Sequence, residues 1–203
     1  MTTRLQCRPR TLGVAIAALL TTTLIGGCSM DSTTGETTPD AASTASDHQH
    51  ALEELLSPLP DLAPEGSQVQ ITQLRETTCL RPEDEAPQTE TSWVGVVSGA
   101  VPSGGAGYQS QLVQQLEEAG FEVRNTVAGP TDGGSGQNGD LTTTYTRRGE
   151  LSAVVTHSLS GGTDQVELLA KSPCQPHPED HQMLRSELDP EYGLSSSLYP
   201  DGR

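Results

Sequence analysis

The sequence predicts an α+β domain: a mostly antiparallel sheet of about five or six strands with two helices on one face. Three observations carry this reading. Tyr108, Leu112, Val113 and Leu116 recur at helical spacing and stop at Gly120. Leu141, Thr143 and Tyr145 alternate with polar neighbours, as do Leu151, Ala153, Val155, His157 and Leu159, and the turn Arg147-Arg148-Gly149-Glu150 joins the two runs. Leu52, Leu55 and Leu56 form a shorter helical stripe that Pro58 ends.

In chain order, Asp47 suits an N-cap for the first helix, and Pro60 and Pro64 stiffen the connector after it. Gln68 to Glu76 reads as a first strand with Val69 and Ile71 on one face, although Leu74 falls by parity on the other. An acidic, Pro-bounded loop from Arg81 to Glu90 leads to a second strand at Ser92 to Ser98, closed by Gly99 and the loop Pro102-Ser103-Gly104-Gly105. After the Tyr108–Leu116 helix, Phe121, Val123 and Val127 begin a third strand. Gly129 to Asp140 holds five glycines in twelve residues and reads as a hairpin loop. The two alternating strands follow, then a turn at Ser160 to Asp164 and a last strand from Gln165 to Lys171. The domain so defined covers residues 47 to 175. Residues 176 to 203 are Pro-rich, acidic and weakly apolar, and read as a loosely ordered tail with a short helix around Asp180 to Leu188.

With 203 residues, 33% apolar and 3% aromatic, the chain can build one modest core. Its formal charge is -16. Three of its 11 basic residues (Arg4, Arg8, Arg10) precede Cys28 while all 27 acidic residues follow it, so loss of the leader takes the charge to -19. Such a surface repels nucleic acid and anionic headgroups and excludes both as partners.

Residues 1 to 27 have the export pattern: a basic segment ending at Arg10, an apolar run through Leu24, then small residues. Ile25-Gly26-Gly27-Cys28 resembles the lipobox of bacterial lipoproteins. That resemblance implies cleavage before Cys28, a diacylglycerol on its thiol, acylation of the freed amine, and a lipid-anchored position on the outer face of the cell membrane. Pro9 separates Arg8 from Arg10, so the twin-arginine signature is absent. Residues 28 to 46 then read as the lipidated cysteine and a disordered Ser/Thr-rich spacer, with a reach of about 20 to 25 Å.

Under the lipoprotein reading, Cys7 is discarded and Cys28 is acylated, which leaves Cys79 and Cys174 in an oxidising compartment. A disulfide between them is the expected outcome. No C-x-x-C pair marks a redox site.

Carboxylates such as Glu53/Glu54 and Glu117/Glu118 are too abundant to mark acid/base chemistry, and no Gly-x-Ser-x-Gly elbow or Walker spacing is present. No catalytic residue and no cofactor are expected. His48 and His50 sit at the spacer junction, and His157 shares a strand face with Val155 and Leu159 and reads as a packed histidine. His177-Pro178-Glu179-Asp180-His181 is the remaining cluster. On a helical turn its two imidazoles would share one face at i, i+4 spacing and could suit a zinc-type ion, but two histidines in an exposed acidic tail are more often simply solvated, and no metal site is assigned.

Gly120-Phe121, Arg148-Gly149-Glu150 and Ser172-Pro173-Cys174 together resemble small uncharacterised α+β lipoproteins of high-GC Gram-positive bacteria. The expected function is a non-catalytic, surface-anchored binding or accessory module with the membrane and an envelope protein as partners. The alternative is a small-ligand or metal-binding carrier.

Overall fold

Two apolar stripes at helical spacing and six runs of β-type alternation leave the chain one economical solution, a sheet with both helices on a single face. The computed structural model describes residues 41–81, 86–130, 140–160 and 162–200. Cys28, the lipobox and most of the spacer lie outside the described residues. So do residues 82–85 of the acidic loop and residues 131–139 of the Gly-rich loop.

The first helix, α1, is Ala41–Leu56. It begins six residues before the expected cap at Asp47, because Ala45 is buried and extends the stripe by two turns ahead of Leu52. The last residues assigned to the spacer, 41–46, are therefore helical. Strand β1 (Gln68–Thr78) pairs antiparallel with β2 (Glu90–Val101). Helix α2 (Gly105–Glu118) crosses to β3 (Glu122–Pro130), and then β4 (Asp140–Arg148), β5 (Leu151–Ser160) and β6 (Thr163–Lys171) follow as a meander. The order across the sheet is β1-β2-β6-β5-β4-β3, and a two-residue strand β7 (Gln175–Pro176) extends the pairing of β2 beyond β6. The mostly antiparallel α+β architecture is as the sequence predicts.

The misplaced parity of Leu74 has a physical answer. The register of β1 against β2 slips between Ile71 and Gln73. This bulge adds one residue, so Leu74 returns to the face of Val69 and Ile71, and Glu76 follows it there. Leu74 is fully buried under α1.

The core lies between this face and the helices, with Leu52, Leu56, Trp93, Leu112, Leu116 and Leu168 at its centre. Each fully buried leucine contributes about 2 to 3 kcal/mol of apolar transfer. Two glycines allow α1 and β1 to approach β2. A Cβ on Gly95 would stand 2.2 Å from Leu56 Cδ1, and one on Gly99 would stand 1.9 Å from the Gln68 carbonyl oxygen. Tyr108 ties α2 to the connector by donating its hydroxyl to the Leu59 carbonyl at 2.8 Å; burial pushes its pKa up to about 12. The N-terminus of α2 has no side-chain cap of its own. Asp164 of β6 supplies one from across the fold, accepting from Gly105 N at 2.9 Å.

The segment 176–200 is not a loose tail, and Asp180 to Leu188 is not a helix. It runs along the outer edge of β1. Glu76 N donates to the Leu184 carbonyl and Ser186 N to the Leu74 carbonyl, each at 2.9 Å, and Arg75 and Arg185 form an antiparallel bridge. Asp189, itself buried, accepts from Leu74 N at 2.8 Å. An edge strand presents unpaired backbone groups, and this segment satisfies those of β1. Met183 and Ser186 are buried in doing so.

Candidate functional site

The end of β1 and the segment after β6 meet beside β2, where a disulfide closes them together. Cys79 and Cys174 are bonded, with Cα atoms 6.1 Å apart. Glu76 stands three residues before the first cysteine and His177 three residues after the second, so the crosslink brings both to the same corner. There, β7 pairs with Glu90 and Thr91 of β2, and His177 N donates to the Thr89 carbonyl at 2.7 Å.

His181 reaches the same place by a route the sequence did not suggest. Instead of a helical turn, Pro178 to His181 form a tight turn closed by His181 N on the Pro178 carbonyl at 3.0 Å. That turn folds His181 back onto His177, and the two imidazoles stack with centroids 3.8 Å apart and planes within 8°. His181 Nε2 lies 2.8 Å from Glu76 Oε2, and His177 Nε2 lies 2.9 Å from Thr91 Oγ1.

Glu76 is the unusual member. It is fully buried, on the core face where the bulge turns it. Its Oε2 accepts from Leu184 N at 3.1 Å as well as facing His181. Its Oε1 is buried with no hydrogen-bond partner. A buried carboxylate oxygen without a donor costs free energy, and most such atoms in folded proteins are satisfied. Glu76 therefore keeps acceptor capacity to spare on a carboxylate whose other oxygen already meets an imidazole.

One ligand atom from each of Glu76, His177 and His181 can be chosen so that all lie within 4.8 Å of one another. Among the described residues no other group of three such side chains does so. Typical bonds of about 2.0 to 2.2 Å to zinc make this a set that small ring rotations would close around one ion. Burial, and then the nearby charge of His181, depress the pKa of His177, while Glu76 opposes them. The net shift favours the neutral imidazole that a metal requires. Both histidines are half-buried, so the corner is open to solvent on their side.

The other sequence candidates separate cleanly. His157 is buried, with Nε2 2.8 Å from Asp164 Oδ1, and serves the cap of α2 as a packed residue. His48 and His50 lie on α1 and do not join the cluster. An open groove of about 340 Å³ runs between α1 and α2, but Arg148, the cation on its wall, is already engaged. It donates to the Ala119 carbonyl at 2.9 Å and lies over the Phe121 ring.

Glu76 is the residue that sequence reasoning missed. It lies 101 positions before His177, among 27 acidic residues of equal appearance. The available signal was the disulfide, which once drawn sets Glu76 and His177 at equal distances from the crosslink.

Comparison with known protein families, curated proteins and solved structures finds no match for this chain. Its function is therefore argued from the site.

Proposed function

We propose that the chain is a lipid-anchored, extracytoplasmic protein whose α+β domain binds a divalent transition-metal ion through Glu76, His177 and His181. A fully buried carboxylate, with Oε2 against one of two stacked imidazoles and Oε1 left without a partner, is the observation that favours metal binding over an accessory role without a ligand. Two imidazole nitrogens and one carboxylate suit zinc, copper(II) or nickel(II) better than calcium or magnesium, which prefer all-oxygen shells. Three protein ligands leave a fourth position for water or for a ligand offered by a recipient, as a carrier needs. Thr91 holds His177, and Leu184 N holds the carboxylate, so the ligands are oriented from behind. An ion would take the place of the His181–Glu76 contact, and the imidazole stack would open by rotation of the rings.

The anchor rests on the resemblance of Ile25-Gly26-Gly27-Cys28 to a lipobox. No helix among the described residues is long and apolar enough to cross a membrane.

Calorimetric titration of the oxidised chain from Thr38 onward, which forms one compact unit, with zinc, copper(II) and nickel(II) tests the site. One ion is expected to bind per chain. His181→Ala, at a half-buried position, and Glu76→Gln are each expected to lower affinity at least tenfold. Absence of binding by all three ions, or binding that both variants leave unchanged, refutes the reading. For the anchor, Cys28→Ala is expected to release the protein from the membrane fraction, and retention with unchanged mass refutes that part separately.

A further inference from the structure

The sheet has a second face, and its chemistry is unlike that of a surface built only for water. Both helices pack on the face that carries Trp93, Val97, Val155 and Leu168. On the opposite face, the strand register sets Val96, Leu169, Val154 and Tyr145 side by side in one row across β2, β6, β5 and β4. The first three are half-buried, and Tyr145 is 44% exposed. Strand β4 makes the point clearly: its alternating Leu141, Thr143 and Tyr145 face away from the helices, and Thr142, Thr144 and Thr146 face toward them. One-sided antiparallel sheets ordinarily turn polar residues outward, whereas sheets buried on both sides carry apolar residues on both.

Charge identifies what covers it. In β6, a central strand, Glu167, Leu169 and Lys171 project from the open face, with Leu169 in the middle. Among the described residues neither Glu167 nor Lys171 has a side-chain hydrogen bond or ion pair, and Lys171 is the only lysine in the chain. This pattern is self-complementary. A two-fold axis through Leu169, lying between two such faces and across the strands, lays each apolar row on its copy and each Lys171 over the Glu167 of the other copy.

We propose that two copies of this chain associate through their open sheet faces, with two reciprocal Lys171–Glu167 ion pairs flanking the apolar row. The arrangement is a β-sandwich of aligned sheets about 10 Å apart, with the isologous symmetry usual in dimers. Six strands at about 4.8 Å spacing and five residues at about 3.4 Å each give a flat face of roughly 500 Å². That is small beside the roughly 800 Å² per partner of a standard interface, so the dimer is a weak one that forms at micromolar concentrations or above. The charge of -16 opposes it at low ionic strength, and screening at physiological salt relieves that repulsion. The face is opposite the helices and does not include Glu76, His177 or His181, so the inference stands independently of the metal reading.

Sedimentation equilibrium of the chain from Thr38 onward, at physiological salt and from low micromolar to millimolar concentration, measures the association. Lys171→Glu is expected to weaken it at least tenfold, and adding Glu167→Lys to that variant is expected to restore it. Zero-length carbodiimide coupling supplies a second readout, because it forms an amide between a lysine and a carboxylate only in direct contact. An intermolecular Lys171–Glu167 linkage is expected in the wild-type dimer. A monomer at every concentration overturns the proposal. So does a dimer that Lys171→Glu leaves intact, or one whose linkage falls on another carboxylate.

Discussion

Loss of the Cys79–Cys174 crosslink measures how much of this domain's stability comes from chain connectivity. The bond joins positions 95 residues apart. In the chain-entropy relation, a loop of that length restricts the unfolded chain by about 16 cal/mol/K, or about 4.7 kcal/mol at 25 °C. Domains of this size have about 5 to 15 kcal/mol in all, and a core with so few aromatics belongs toward the lower end. The Cys79→Ala/Cys174→Ala variant is therefore expected to lose about 3 to 5 kcal/mol. In urea, with a slope of about 2 kcal/mol/M, the midpoint should fall by about 2 M. A midpoint shift below about 0.5 M would show that the unfolded chain is already restricted near these positions, and the reasoning would fail. The same variant should bind zinc about tenfold more weakly, equivalent to about 1.4 kcal/mol. With the crosslink gone, His177 is held at this corner by the short β7 pairing with β2, its bond to the Thr89 carbonyl and the edge segment beyond it, a looser frame than the covalent bond three residues away. Alanine is needed in this test because free thiols would themselves bind the metal.

Other outcomes follow from single contacts. Gly99→Ala should cost about 3 kcal/mol and Gly95→Ala about 1 kcal/mol in chemical denaturation, because the first new methyl meets backbone and the second meets the movable end of Leu56. Asp164 is held below the usual carboxylate range by the hydrogen bond from His157 and then by that from Gly105 N. With the folded pKa depressed, its contribution is present above the unfolded value near 4 and is lost as pH falls through the folded one. Asp164→Asn should flatten that acid limb of the stability–pH curve, and an unchanged limb would refute the assignment. Ending the chain at Pro176 should remove metal binding and destabilise the domain by at least about 2 kcal/mol, since it strips the edge of β1 of the partners for Leu74 and Glu76. A truncated chain with wild-type stability would show that the edge segment is merely adjacent.

How far the sequence could be read depended on the range of the interaction. Tyr108, Leu112 and Leu116 identified α2 because a helix is set by neighbours three and four apart. Leu151 to Leu159 identified β5 and its buried face for the corresponding reason at period two. Leu74 was misread for want of one inserted residue, since parity counting assumes an unbroken ladder and the bulge near Thr72 is fixed only by pairing with β2. On β4 the apolar alternation was real, but the sequence gives no sign of which face the helices occupy. The C-terminal segment was misjudged because its composition is only weakly apolar, while its order comes from backbone hydrogen bonds to a strand edge, which composition does not record.

By itself, then, the sequence determined the α+β class, the order of the principal elements and the pairing expected of Cys79 with Cys174. These follow from local periodicity and from counting thiols. Only the tertiary structure decided that Glu76 joins His177 and His181. That meeting requires a bulge to turn the carboxylate inward, a disulfide to bring two distant segments to one corner, and a tight turn to fold one imidazole onto the other. Each is a long-range or geometric event with almost no local signature, which is why two histidines in an acidic tail looked solvated until the fold placed a buried carboxylate beside them.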